Sequence, residues 1–159
     1  SMGLLKTVFP YNNSLNVVTV SGAQLLEVLE AATYCTPESA ASFPQVAGSS
    51  FSVNTSVPYE NGEQYPNSTF YAPANPGARV TITDVGGRGF SLEESYVLAV
   101  ASFLTDGGDS YYALASAYVD NGYITGINDS DMLTNYINSE LGGIIDDRYA
   151  SPQQRITLL

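Results

Sequence analysis

The hydrophobic period of this chain changes abruptly at residue 21, and that change limits the folds available to it. Residues 15–20 carry three valines and favour a β-strand, and Ser21-Gly22 is typical of a helix start whose serine accepts a hydrogen bond from a free amide. Apolar residues then recur about every 3.6 positions, at Leu25, Leu26, Leu29 and Ala32. This spacing predicts a helix with one buried stripe, and the polar positions left for solvent are Gln24, Glu27 and Glu30.

Later segments alternate between strand and helix patterns, which predicts a single domain of the mixed α/β (α+β) class, a mixed β-sheet flanked by helices. Further strands are predicted at residues 51–53, 79–85, 96–102 and 155–158, and the nearly continuous apolar run at 96–102 is expected to be central. Helices are predicted at 111–117 and, from an Asp129-Ser130 cap, at 129–141, the latter with a buried face of Met132, Leu133, Tyr136, Ile137 and Leu141. Residues 54–77, rich in Pro, Asn, Ser, Gly and Tyr, are expected to form a long surface loop.

The charge of the chain excludes several classes of partner and chemistry. With 16 acidic and 5 basic residues the formal net charge is -11, which would repel a nucleic-acid backbone. The basic residues are too few and too scattered to predict a phosphate clamp: Lys6, Arg79, Arg88, Arg148 and Arg155. Histidine is absent, and the single Cys35 is interpreted as a small buried residue. We therefore assign no catalytic residue, no metal site and no internal disulfide to this sequence.

Composition also bears on location. No apolar run approaches the roughly 20 residues needed to span a bilayer, and no signal-peptide pattern precedes residue 4. Residues 1–3 are interpreted as a cloning remnant and leader, and residues 4–159 as the domain. Low lysine content, twelve tyrosines and abundant Asn, Ser and Gly favour a secreted protein that is extracellular, periplasmic or associated with a cell wall.

The segment Phe103 to Tyr111 is the most informative for function, because it follows a predicted strand and places two glycines before an acid. Gly107 and Gly108 permit positive φ and a close approach of the backbone to a ligand. Asp109 offers two acceptor oxygens to a diol, and Phe103 offers a stacking face. The alternative is a tight turn with Phe103 in the core.

A second aromatic lies in Phe9-Pro10-Tyr11-Asn12-Asn13, directly before the first strand. With this segment the chain resembles the C-terminal domain of the 5'-nucleotidase and UDP-sugar hydrolase family. The matching blocks are Pro10-Tyr11-Asn12-Asn13, Ser21-Gly22-Ala23-Gln24-Leu25, Phe43 to Gly48, Tyr96 to Tyr111 and Arg155-Ile156. Residues 58–73 are left over as an extra loop.

The resemblance implies roles for individual residues. Tyr11 and Phe103 would stack on either side of a base, Asn13 would contact the base edge, and Asp109 would bind the ribose hydroxyls. The sequence departs from the family pattern at Tyr11, where the family has Phe, and at Asn12 and Ser110, which replace glycines. The family's phosphate-binding arginines and its two divalent metal ions would belong to residues before this chain, the latter to an N-terminal metallophosphoesterase domain.

The function implied is nucleoside recognition on behalf of a secreted two-metal 5'-nucleotidase-like hydrolase, with the present fragment inactive alone. Substrates would be nucleoside 5'-phosphates or related nucleotides, including cyclic nucleotides and nucleotide-sugars. Two alternatives remain from the residues: a stand-alone module that binds nucleosides or sugars, and a surface or adhesion domain in which Tyr11 and Phe103 belong to the core.

Overall fold

A computed structural model describes residue 5 and residues 7–159, so the predicted leader at residues 1–3 lies outside the described residues. The strands are β1 (Ser14–Ser21), β2 (Ser49–Val53), β3 (Asn61–Gln64), β4 (Tyr71–Pro73), β5 (Val80–Val85), β6 (Ser95–Ala101), β7 (Gly122–Asn128) and β8 (Ile156–Leu158). The helices are α1 (Gly22–Ala32), the single turn α2 (Ser102–Thr105), α3 (Tyr112–Asn121) and α4 (Asp129–Asn135), which continues into a π-helical turn (Tyr136–Glu140). A 3-10 turn (Asp147–Tyr149) precedes β8.

These strands form small sheets rather than one large one. The first has the order β6-β1-β7 and is antiparallel, and the second has the order β5-β2-β8, in which β2 runs parallel to β8 and antiparallel to β5. The third is the β3-β4 hairpin. The predicted mixed α/β domain is therefore confirmed. The expectation that residues 96–102 form a central strand is wrong, because β1 takes the central place and Val97 of the edge strand β6 is 71% exposed.

The predicted junction between β1 and α1 is confirmed. The Gln24 amide donates to Ser21 Oγ at 3.2 Å, and the Ser21 amide donates to Gln24 Oε1 at 2.9 Å, so two amides at the helix start are satisfied reciprocally. Gly22 is required by packing, since a Cβ there would overlap the carbonyl oxygen of Ser91. The helix therefore begins where the sequence pattern changes its period.

The apolar stripe of α1 forms the centre of the core. All four predicted members of the stripe are buried, and they belong to one cluster with residues of both larger sheets and of α3: Val18, Val20, Phe51, Val53, Val80, Ile82, Leu114 and Ala117. Burial of this surface is the main stabilising contribution to the fold. The cluster packs β1 and β6 together with α1, and these two strands connect to the two aromatic segments singled out in the sequence.

The expectation that Glu30 faces solvent is wrong, because this residue is only 1% exposed. Its carboxylate accepts hydrogen bonds from the backbone amides of Gly77, Arg79 and Val80 at 2.9–3.1 Å. The Arg79 side chain is buried as well, and its guanidinium donates to carbonyl oxygens of Val57, Thr33 and Thr36. A helical period cannot distinguish such an internal acceptor from a solvent-facing glutamate.

Three smaller expectations also differ from the structure, and one strand was not expected at all. Residues 54–77 are not a uniform loop, since they contain the β3-β4 hairpin. The sequence does not predict β7, which has no clear apolar pattern. The face of residues 129–141 expected to be buried is not, with Met132 39% and Tyr136 43% exposed. Among the helices and strands, α4 packs mainly along β7 and its own continuing turn. Cys35 is half-buried, not buried.

In the part of the chain that the structure describes, no helix is long and apolar enough to cross a membrane.

Candidate functional site

The two aromatic segments singled out in the sequence leave the same end of the β6-β1-β7 sheet. Leu15 of β1 pairs with Ala101 of β6, so residues 9–13 enter the sheet where residues 102–110 leave it. Ser14 pairs with Asn128, which brings the start of α4 to this end as well. The topology therefore brings together the segments that carry Tyr11, Asn13, Phe103 and Asp109.

The segment after β6 ends α2 in a Schellman motif. The Gly108 amide donates to the Phe103 carbonyl oxygen at 2.9 Å, and the Gly107 amide donates to the Leu104 carbonyl oxygen at 3.1 Å. Gly107 has φ 81°, the left-handed conformation that this motif requires. Gly108 does not share it, and the second left-handed residue of the turn is Asp109, with φ 52°. The two glycines thus have different tasks.

The absence of a side chain at Gly108 leaves room for the Phe103 ring. A Cβ at residue 108 would overlap Cζ of Phe103, so the ring lies directly against the glycine. Phe103 is nevertheless 48% exposed and Tyr11 is 85% exposed. The alternative that places these two rings in the core is wrong.

We predict that Gly108→Ala displaces the Phe103 ring, because the added methyl group and the ring would occupy the same space. The expected loss in the free energy of unfolding is about 1–3 kcal/mol, the usual cost of overpacking. Urea denaturation followed by circular dichroism measures it. The matched control is Gly89→Ala, where the added Cβ meets open space. Equal stability of the two variants would contradict the packing of Phe103 on Gly108.

Residues 11–13 are held by an acid that the sequence indicated only as a helix cap. The Asn13 amide donates to Asp129 Oδ2 at 3.1 Å, and the Asp129 amide donates to the Asn13 carbonyl oxygen at 2.9 Å. Asp129 is 7% exposed and also accepts from the Ser130 amide. Asn12 has φ 52°, a conformation that asparagine tolerates better than most residues. The backbone that follows Tyr11 is therefore shaped by a left-handed residue and a buried carboxylate.

A second buried contact, which the sequence does not predict either, fixes α2 on β1. Asn16 is 2% exposed, and its Nδ2 donates to Thr105 Oγ1 at 2.7 Å. Thr105 Oγ1 in turn donates to the Ser102 carbonyl oxygen at 2.9 Å. These bonds anchor the turn that carries Phe103 to the strand that follows Tyr11. The one sequence signal for this contact is Asn16 itself, an asparagine at a strand position that faces inward.

Asp109 is a half-buried acceptor. No residue of the described chain hydrogen-bonds to its carboxylate, so both oxygens are available. Its negative charge acts on a neighbour: the pKa of Tyr111 is raised mainly by burial and further by Asp109. The Tyr111 hydroxyl donates to the Ser42 carbonyl oxygen at 2.8 Å, which ties the turn to the core.

The chemistry available at this end of the sheet is recognition. Two exposed rings offer stacking faces, and one unpartnered carboxylate offers acceptors for hydroxyl groups. Across residue 5 and residues 7–159, no cluster of three His, Cys, Asp or Glu side chains could hold a metal ion.

Comparison with known proteins gives these observations a context. Residues 1–116 match the family described as 5'-nucleotidase, C-terminal domain. A search of curated proteins finds no match. The fold is similar to that of a 5'-nucleotidase precursor from Thermus thermophilus, with a TM-score of 0.75, 24% identity, and coverage of 100% of this chain and 28% of that one. It is also similar to that of an NAD nucleotidase from Haemophilus influenzae, with a TM-score of 0.69, 17% identity, and coverage of 100% of this chain and 26% of that one. The present chain thus spans about a quarter of the length of these structures.

Proposed function

The chain belongs to the family of 5'-nucleotidase C-terminal domains, and from this premise we propose that it is the nucleoside-recognition domain of a metal-dependent 5'-nucleotidase-like hydrolase. The substrates are nucleoside 5'-phosphates or related nucleotides, such as cyclic nucleotides and nucleotide-sugars. The parent protein is secreted, and acts outside the cell, in a periplasm or at a cell wall.

The observation that carries this proposal is that two exposed rings and a free carboxylate lie on segments that meet at one end of a sheet. Tyr11 is 85% and Phe103 48% exposed, and the segments that carry them meet at one end of a sheet. A large aromatic side chain in water gains by stacking on a base, and such stacking tolerates different bases. Asp109 supplies acceptors suited to the vicinal hydroxyl groups of ribose, while Asn13 contacts the base edge.

In this proposal the present chain binds the nucleoside, and a different domain of the parent protein carries out the hydrolysis. With a net charge of -11 the chain is suited to the neutral end of a nucleotide, and the phosphate belongs to residues outside it. Activation of the attacking water is assigned to a preceding metallophosphoesterase domain with two divalent metal ions. Contacts to base and ribose then position the phosphate for reaction, which raises the rate as well as the affinity. Release of phosphate from AMP by the purified 159-residue chain would contradict this division.

The role of Asp109 gives a direct test. We expect Asp109→Ala to weaken adenosine binding by about tenfold or more, because hydrogen bonds to a charged acceptor contribute about 1.5–3 kcal/mol each. The variant should also lose the preference for adenosine over 2',3'-dideoxyadenosine, which lacks the hydroxyl groups. Calorimetry on a longer chain that includes the preceding residues of the parent protein measures both.

Asp106→Ala is the matched control, since it removes an exposed carboxylate from the same turn. It should leave affinity and ribose preference unchanged. If Asp109→Ala keeps the full preference for adenosine, or if both variants lose it equally, Asp109 does not bind ribose.

A further inference from the structure

A cavity of about 190 Å³ lies between α1, the β3-β4 hairpin and the turn after β6. Neither Tyr11 nor Phe103 lines it, so it is distinct from the proposed stacking site, although Ser110 of its lining directly follows Asp109. Its walls include two features that the family resemblance left unexplained: the extra segment 58–73, and Ser110 in place of a glycine. Because both features line the same cavity, they are explained together if the cavity binds a ligand.

The walls of the cavity are aromatic. Tyr34 makes edge-to-face contacts with Tyr59, at a centroid distance of 6.2 Å, and with Phe70, at 5.7 Å. Tyr71 is a fourth aromatic residue of the lining. All four side chains are half-buried, so each keeps part of its surface open. The hairpin is braced in this position because the Tyr59 hydroxyl donates to the Tyr71 carbonyl oxygen at 2.7 Å.

Three uncharged polar side chains of the cavity lining have no hydrogen-bond partner among the described residues: those of Ser110, Asn61 and Thr69. Ser110 is 2% exposed, and its Oγ has no hydrogen-bond partner among the described residues. A buried hydroxyl without a partner is costly, and a serine is not needed for the backbone here, since the left-handed positions are Gly107 and Asp109. Asn61 and Thr69 also line the cavity, and no residue of the described ranges hydrogen-bonds to the side chain of either.

The electrostatic surroundings exclude anions. Burial raises the pKa of Tyr59, and the nearby carboxylates of Glu30 and Glu27 raise it further, against an opposing effect of Arg79. No charged side chain of the described residues lines the cavity itself. A phosphate or carboxylate ligand would therefore meet no cation in the lining, while the two carboxylates near Tyr59 outnumber the one guanidinium.

From the lining of this cavity we propose that it is a binding site for a single neutral sugar ring. Its volume is below the roughly 300 Å³ at which drug-sized ligands are held, which limits the occupant to one ring. The C–H face of a sugar packs against aromatic rings, and its hydroxyl groups pair with amide and hydroxyl side chains such as Asn61, Thr69 and Ser110. This inference does not rest on the proposed nucleoside function.

The test uses the 159-residue chain and three small probes: methyl β-D-glucopyranoside, adenine and choline. Saturation-transfer NMR should show contact of the glycoside with the protein, at millimolar affinity. Phe70→Ala should weaken that affinity by about fivefold or more, through loss of one wall. Phe90→Ala is the matched control, because Phe90 is also half-buried against a tyrosine, Tyr96, and should leave the affinity unchanged.

Ser110→Ala separates a binding role from a structural one. It removes a hydroxyl group that no atom of the described residues uses, so the melting temperature should stay the same or rise, while the affinity for the glycoside falls. The proposal is overturned if the glycoside shows no saturation transfer at tens of millimolar. It is also overturned if Phe70→Ala and Ser110→Ala bind the glycoside with the affinity of the unsubstituted chain. A third contrary result is that only adenine or choline binds and that this binding depends on Phe70. Phe70→Ala should leave adenosine binding at Tyr11 and Phe103 unchanged, because neither of these rings lines the cavity.

Discussion

Replacement of Glu30 by alanine is expected to lower the free energy of unfolding by about 3–5 kcal/mol, a large fraction of the roughly 5–15 kcal/mol that holds a domain of this size together. Glu30→Ala removes the acceptor of three backbone amides, those of Gly77, Arg79 and Val80. Each amide left buried without a partner costs about 1–3 kcal/mol, and the lost side-chain volume adds a cavity. Urea denaturation followed by circular dichroism measures the change.

Glu27→Ala provides the matched control on the same helix. Glu27 is half-buried and accepts one hydrogen bond, from the Tyr65 hydroxyl at 2.8 Å, so its loss should cost only about 1 kcal/mol. Glu30→Gln keeps one acceptor oxygen but turns an NH₂ group toward the backbone amides, and should fall between the two alanine variants. If Glu30→Ala is no less stable than Glu27→Ala, the three amides find other partners and the proposed role of Glu30 is wrong.

Glu30 also shows where sequence-based prediction of the fold stops. The period of α1 predicts its length, its cap and its apolar stripe, because those depend on neighbours in the sequence. The partners of Glu30 lie about 50 positions away, at residues 77–80. The same limit applies to strand order: the apolar run 96–102 predicts a strand, but its place at the sheet edge depends on which segments pair with β1.

The candidate site could be predicted in its outline for a related reason. Phe103, Gly107, Gly108 and Asp109 form one contiguous turn, and the chemistry of such a turn can be inferred from its letters. The separate roles of Gly107 and Gly108 could not be predicted, because the Schellman hydrogen bonds and the position of the Phe103 ring are properties of the folded turn. The hydrogen bonds that support the site could not be predicted either, because they join residues that are far apart in the sequence, as those of Glu30 do. Asp129 reaches Asn13 across 116 positions and Asn16 reaches Thr105 across 89.

The largest functional effect is expected for the two exposed rings. Tyr11→Ala and Phe103→Ala should each weaken adenosine binding by about 5- to 150-fold, since stacking of one base on one ring contributes about 1–3 kcal/mol. Tyr11→Phe should keep the affinity, because it keeps the stacking face. The loss should be similar for adenosine, guanosine and uridine, as every base has a π-face to stack. Calorimetry on a longer chain that includes the preceding residues of the parent protein provides these affinities.

Folding and binding effects can be separated at these positions. Tyr11 is 85% exposed, so Tyr11→Ala should leave the melting temperature unchanged, and the loss of affinity then belongs to the site alone. Tyr123→Ala is the matched control, because Tyr123 is 61% exposed on β7 but pairs with Val17, in the middle of the sheet and away from the end that carries the proposed site. Full adenosine affinity in a Tyr11→Ala/Phe103→Ala double variant would refute the stacking site. A loss confined to one base would replace broad stacking with selective recognition, because a base-specific loss requires contacts to base edges rather than to ring faces.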